Sequence, residues 1–141
     1  MANKVKLARE FFKASEDEDL DKIARMITDD FQFVGPLPEP LNKTEYLGFL
    51  ESLMPAFSDW RFNLSSCEEV DDKVSCFSSI SGKHTGELAP PNMNPIPATN
   101  RTFKLPKETT TLVFSGDKIS KLESAASEDG GMSGIIKQLT A

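Results

Sequence analysis

The sequence is short of the side chains on which most enzyme and metal sites are built. Its 141 residues include one histidine, two cysteines, one tryptophan and one tyrosine. With neither a CxxC pair nor an HExxH segment, no metal site is expected, and two cysteines make no disulfide framework. A serine nucleophile elbow of the GxSxG type is also missing. No apolar run approaches the ~20 residues of a membrane span, and the opening MANKVKLAREFF has no continuous apolar core of the kind a secretory leader needs. Basic residues are outnumbered: 16 Lys and Arg against 22 Asp and Glu leave a net charge of −6. That balance argues against nucleic acid or an anionic membrane as the main partner. A cytoplasmic protein that works without metal or cofactor is the expectation.

What is present suits one folded domain spanning residues 1–141, since no internal repeat and no long linker divides the chain. Ten phenylalanines supply material for a core. Val5, Ala8, Phe11 and Phe12 recur at helical spacing, which predicts an amphipathic helix from about Asn3 to Ser15. The acidic knot Glu16-Asp17-Glu18-Asp19 interrupts it and reads as a solvated turn capping a second helix. That helix runs through Leu20, Ile23, Ala24 and Ile27 and stops at Thr28-Asp29-Asp30. Phe31 to Val34 reads as a strand closed by Gly35 and the proline-rich GPLPEP. A third helix opens with Asn42 or Thr44 as N-cap, buries a stripe containing Tyr46, Leu47 and Leu50, and ends at Pro55.

From Asp59 onward the period shortens to that of strands. Trp60, Phe62 and Leu64 alternate with polar residues, and Val74 to Thr85 forms a long returning strand. After a loop with four prolines come strands from about Thr102 to Phe114 and Lys118 to Ala126, turning at Ser115-Gly116-Asp117. The tail from Gly130 to Ala141 holds a short apolar segment that fits a helix or an extended strand. Three helices followed by an antiparallel meander make an α+β fold, and a strongly curved sheet leaves a hollow between itself and the helices.

With Asp71-Asp72 as the turn, Cys67 lies directly opposite Cys76 in a close, non-hydrogen-bonded pair. Such a pair forms either a strained disulfide or, as a cytoplasmic setting favours, two free thiols. The same register places Trp60, Phe62 and Leu64 on one face with Phe77, Ser79 and Ser81, large side chains opposite small ones, as a cavity requires. The other face carries the cysteines, Val74, Ile80 and His84, with Asp59 opposite His84, and suits a subunit contact. One residue of bulge would exchange the two faces.

The candidate catalytic groups are His84, an acid or base at neutral pH if Asp59 orients it, and Glu123, a carboxylate on a strand of apolar and small residues. For each the alternative is structural: an interface histidine, and a solvent-facing or lysine-paired glutamate. Asp30, Glu128 and Asp129 flank strands and read as cap or turn residues. The expected ligand contacts are Phe11, Tyr46, Trp60, Phe62, Phe77 and Ser79.

The order of segments AREFFKASEDEDLDKIARMITDDFQF, GPLPEPLNKTEYLGFLESLMPAFSDWRF, SGKHTGELAPP with PATNR, and SGDKISKLESA before IIKQL resembles the SnoaL-like polyketide cyclase branch of the nuclear-transport-factor-2-like superfamily. The resemblance implies a cone-shaped curved antiparallel sheet packed against three N-terminal helices, a deep pocket, and a homodimer formed through the sheet. Members include polyketide cyclases, ketosteroid isomerases, dehydratases and binding domains, so the fold does not fix the function. Family residues do not carry over. Phe11 stands where the isomerases have a tyrosine, Gly35 where they have an aspartate, and Leu122-Glu123 where the cyclases have a histidine-tryptophan pair. Three functions follow as expectations: a cofactor-free acid–base enzyme acting on an apolar carbonyl compound, a binder of small apolar ligands, or a dimeric interaction domain.

Overall fold

The structure is a computed structural model that describes residues 3–35, 39–89, 94–125 and 131–140. Helix α1, Lys4–Glu16, starts where the Asn3 side chain accepts the Lys6 backbone N–H and buries Ala8, Phe11, Phe12, Ala14 and Ser15. The acidic knot ends it. Asp19 caps α2, Leu20–Met26, by accepting the Lys22 N–H at 3.1 Å. This helix stops earlier than its apolar spacing predicts. Ile27 is already extended and opens strand β1, Ile27–Val34, because its side chain is fully buried and its backbone pairs with Ile119. After the two-residue strand β2, Leu41–Asn42, helix α3, Lys43–Leu53, begins with a reciprocal capping box between Asn42 and Glu45. Such a cap contributes about 1 kcal/mol. Pro55 ends the helix in a single 3₁₀ turn, Met54–Ala56.

The remaining strands are β3 (Phe57–Arg61), β4 (Ser66–Val70), β5 (Lys73–Ser78), β6 (Ser81–His84), β7 (Thr102–Lys104), β8 (Glu108–Ser115) and β9 (Lys118–Ala125). They form a six-stranded sheet in the order β2-β1-β9-β8-β5-β4 and a three-stranded sheet in the order β3-β6-β7. All pairings are antiparallel except that of β1 with β9. The tail is helical: α4, Gly131–Leu139, is pinned to β7 by the Gln138 amide, which bonds both the N–H and the C=O of Lys104.

The predicted long strand from Val74 to Thr85 is broken at Ser79-Ile80, where the chain passes from one sheet to the other. Pro106, in the gap between β7 and β8, has no N–H to continue a ladder. The Ser79 hydroxyl instead donates to the Leu105 carbonyl at 2.8 Å. Across the hairpin the tight register holds for β4 and β5, with Cys67 opposite Cys76. It slips beyond Asn63, which adopts a left-handed backbone (φ 50°) and ties itself to Ser79 and Ser81 through its side-chain amide. Asn tolerates that conformation better than most residues.

This bulge exchanges the expected faces. Val74, Cys76 and Ser78 point into the core, whereas Phe77 turns outward with the Lys107 ammonium 4.7 Å above its ring. The two cysteines, expected as thiols, are joined as a disulfide with their Cα atoms 4.1 Å apart. By β6 the slip amounts to two residues, so Phe57 and not Asp59 lies opposite His84.

Two apolar clusters result. The larger packs α1, α2 and α3 against the six-stranded sheet through Phe11, Phe12, Ile23, Phe31, Tyr46 and Leu112. The smaller joins the 3₁₀ turn, β3, β7 and α4 through Phe57, Phe103, Leu105, Ile135 and Leu139.

Candidate functional site

Between the two clusters lies a cavity of about 180 Å³. Helix α1 contributes Phe11, Phe12 and Ser15, and α3 contributes Tyr46, Phe49, Leu50 and Leu53. Phe33, Phe57, Trp60, Phe62 and Ile80 come from the strands and the crossover. Eight of the lining side chains are therefore aromatic. They brace one another: Phe12 meets Phe62 edge-on at 4.9 Å, and Phe57 meets Trp60 at 5.3 Å. Such contacts hold rings upright with a face or edge toward the hollow.

The polar groups of the wall are few. Glu108 and Thr110 on β8 and Ser124 on β9 supply the floor, and Glu108 and Thr110 are buried. Tyr46 is 5% exposed and sits between Phe31 and Phe33, with ring centroids 5.1 and 5.2 Å away. Burial pushes its phenol pKa well above the usual value, so the hydroxyl keeps its proton. Glu16, Glu18 and Asp59 line the opening, and the latter two are exposed.

Of the expected ligand contacts, Phe11, Tyr46, Trp60 and Phe62 line this cavity, and Phe77 and Ser79 do not. Phe77 lies on the outer face of the sheet, and the Ser79 hydroxyl is committed to Leu105. The bulge at Asn63 accounts for both. Of the expected catalytic groups only Asp59 borders the cavity. His84 is fully buried beside the smaller cluster, away from the hollow. Its Nδ1 accepts the Thr99 backbone N–H at 3.2 Å and lies 3.0 Å from the Thr99 hydroxyl. Burial pushes the imidazole pKa down, with the Gly86 backbone opposing. A neutral ring that clamps the returning loop is a structural part, and His84 is neither a cavity base nor a surface contact.

Glu123 alternates outward on β9 and pairs with Lys121 at 2.9 Å. That hydrogen bond holds its carboxyl below the usual range, the opposite of what an acid catalyst needs. In the loop after β6, the described residues on either side of 90–93 meet. Leu88 and Ile96 exchange two backbone hydrogen bonds and pack on the smaller cluster. Glu128 and Asp129 lie outside the described residues.

Sequence reasoning missed Glu108, Thr110 and Ser124. A signal for the first two was available. Glu108 and Thr110 share strand parity with Leu112, a core residue, so all three face inward.

A curved sheet closed by helices around an aromatic hollow defines the class: a small-molecule pocket of the nuclear-transport-factor-2-like fold. Residues 8–122 match the SnoaL-like domain, and the chain belongs to that family. Among curated proteins none matches it in sequence. Solved structures share the fold at low identity. The candidate hydroxylase AclR from Streptomyces galilaeus is 17% identical, with a TM-score of 0.78 over 96% of this chain and 93% of its own. A candidate SnoaL-like polyketide cyclase from Jannaschia sp. CCS1 is 11% identical, with a TM-score of 0.79 over 97% and 91%. A protein of ketosteroid isomerase-like fold from Catenulispora acidiphila, in complex with trimethylamine, is 12% identical, with a TM-score of 0.68 over 87% and 86%. Among the described residues no helix is long and apolar enough to cross a membrane.

Proposed function

We propose that this SnoaL-like protein holds a small, mainly apolar organic molecule in the cavity between α1, α3 and the inner face of the sheet. The observation that carries the reading is the wall of eight aromatic side chains with a small polar floor. Apolar walls supply affinity, and a few placed polar groups fix orientation. A structure of the same fold that holds trimethylamine supports a small-molecule occupant. Native mass spectrometry of gently purified protein tests it. A retained small molecule is expected, and a cavity that takes none from a panel of apolar compounds overturns the reading.

A second reading, cofactor-free proton transfer on an apolar carbonyl compound, draws support from Glu108. It is the buried carboxylate on the floor, near enough to Thr110 and Ser124 to share one ligand face with them. The neutral Tyr46 hydroxyl is a suitable donor to a carbonyl oxygen. In this reading Glu108→Gln removes turnover of a cyclisable or isomerisable carbonyl compound while leaving its binding within about threefold. Equal turnover in the variant excludes Glu108 as the base. Asp59 at the opening is a weaker candidate for the same role, and Phe11, Trp60 and Phe62 are positioning contacts.

A cytoplasmic homodimer completes the proposal. The outer face of β5, β8 and β9 places Ser75, Phe77, Thr109 and Thr111 side by side, a half-buried surface suited to a second copy. Light scattering on the purified protein tests the dimer. In the cytoplasm the Cys67–Cys76 pair would be held reduced, so thiol counting under native conditions tests the location.

A further inference from the structure

His84 is a fully buried titratable side chain that lies outside the cavity lining. Segment 94–101 returns along β6 and is tied to this one residue. The His84 N–H donates to the Arg101 carbonyl at 2.9 Å, and the Asn100 N–H donates to the His84 carbonyl at 2.8 Å. The Thr99 N–H donates to the ring at Nδ1, 3.2 Å away. The backbone-to-backbone bonds are indifferent to pH. The bond to the ring is not.

An imidazole nitrogen accepts a hydrogen bond only while it carries no proton, so this bond requires the neutral ring with its hydrogen on Nε2. Nε2 is itself buried and has no hydrogen-bond partner among the described residues. A second proton would enter at Nδ1 and set two donors against each other. The Thr99 hydroxyl, 3.0 Å from Nδ1, can take that proton only by leaving the Thr99 backbone N–H without an acceptor. The new charge would be buried beside the Phe57 ring, whose centroid is 5.5 Å from that of the imidazole. Lys83 adjoins His84 on β6, Asp59 and Arg61 lie on β3, Lys104 on β7, and Glu87 and Arg101 on the loop; all but Lys83 are exposed. None of these charges governs the ring. Burial holds its pKa down, and the Gly86 backbone opposes.

Phe57 connects His84 to the cavity. It lies opposite His84 across β3 and β6, and it lines the hollow together with Trp60, which it meets edge-on.

We propose that His84 is a pH-sensitive latch. Neutral, it holds segment 94–101 on β6; protonated, it releases that segment and loosens the Phe57–Trp60 wall of the cavity.

Nuclear magnetic resonance of the parent protein tests the latch by following the imidazole and the backbone amides from about pH 7.5 to about pH 4.5. The chain has one histidine, so the imidazole signals are unambiguous. Protection of the Thr99 N–H, corrected for the intrinsic exchange rate, should fall below about pH 6.5, by about tenfold per pH unit until the folded pKa of the ring is reached. Amides of the interior strand β8 should keep theirs. Acrylamide quenching of Trp60, the single tryptophan, should rise in step. His84→Gln offers Thr99 an acceptor that does not titrate, and in it both pH dependences should vanish. If that variant does not fold, the parent titration still decides. Thr99 protection that stays constant while the ring titrates overturns the latch. So does a simultaneous loss in β8, which marks unfolding of the whole chain, and so does an unchanged pH dependence in His84→Gln. Quenching that stays flat while Thr99 opens overturns the link to the cavity wall.

Discussion

The two apolar clusters are built from similar residues and come to different ends. In the smaller one, Phe57, Trp60 and Phe103 meet edge-on with centroids 5.3 to 5.7 Å apart, and α4 closes over them with Ile135 and Leu139. Only the edge it shares with the cavity, at Phe57, Trp60 and Ile80, stays uncovered. In the larger one, α1 and α3 cover a sheet that curves away, and Phe49, Met54 and Phe62 remain half-buried at the seam. Filling depends on what covers a strand face, more than on how apolar that face is. The single histidine lies on the filled side and became a clamp. Tyr46 and Glu108 lie on the hollow side and line the cavity.

The largest effect should come from truncating the filled side. Phe103→Ala is expected to cost about 3–5 kcal/mol in urea unfolding, because its partners are packed on every side. Phe49→Ala at the cavity wall should cost less than about 2 kcal/mol, since part of that side chain already faces open space. Equal costs would mean that the seam is as tightly packed as the small cluster.

Next is Gly86. A Cβ there would stand 2.2 Å from the Pro55 carbonyl oxygen, and the Thr85 and Gly86 N–H groups both donate to Ala56. Gly86→Ala should therefore destabilise by about 3 kcal/mol, shared between lost hydrogen bonds and displaced backbone. A variant within about 0.5 kcal/mol of the parent would show that the 3₁₀ turn can move freely.

His84 gives a pH effect of definite sign. Its folded pKa is depressed by burial, so between the folded and unfolded values the unfolded chain binds more protons. Its contribution is complete above the unfolded value near ~6.5 and is lost as pH falls toward the folded one. Denaturation midpoints should drop on acidification through that window, and His84→Gln should flatten the slope. A slope that persists unchanged assigns the effect to other groups.

The smallest effect belongs to Glu123. Its pair with Lys121 is about half exposed, so Glu123→Gln should shift stability by no more than about 0.5 kcal/mol. Ligand binding in the cavity should not change, and a large loss would return Glu123 to the site.

Much of the fold was legible in the sequence because the signals were local. Asn3, Asp19 and Asn42 mark helix starts through side chains that satisfy the first free N–H groups. Asp71-Asp72 set the turn that places Cys67 opposite Cys76. The site was harder to read, since one left-handed residue, Asn63, reverses which residues of the hairpin face inward. Its cause is a hydrogen-bond trade with Ser79 and Ser81, sixteen and eighteen residues away.

Sequence alone determined the first three helices, the strand periods, the acidic charge and the aromatic supply, since all of these follow from neighbours along the chain. Which aromatic rings enclose a hollow and which fill a core was decided by the tertiary structure. A β-strand has two faces related by a shift of one residue, and only long-range pairing selects between them.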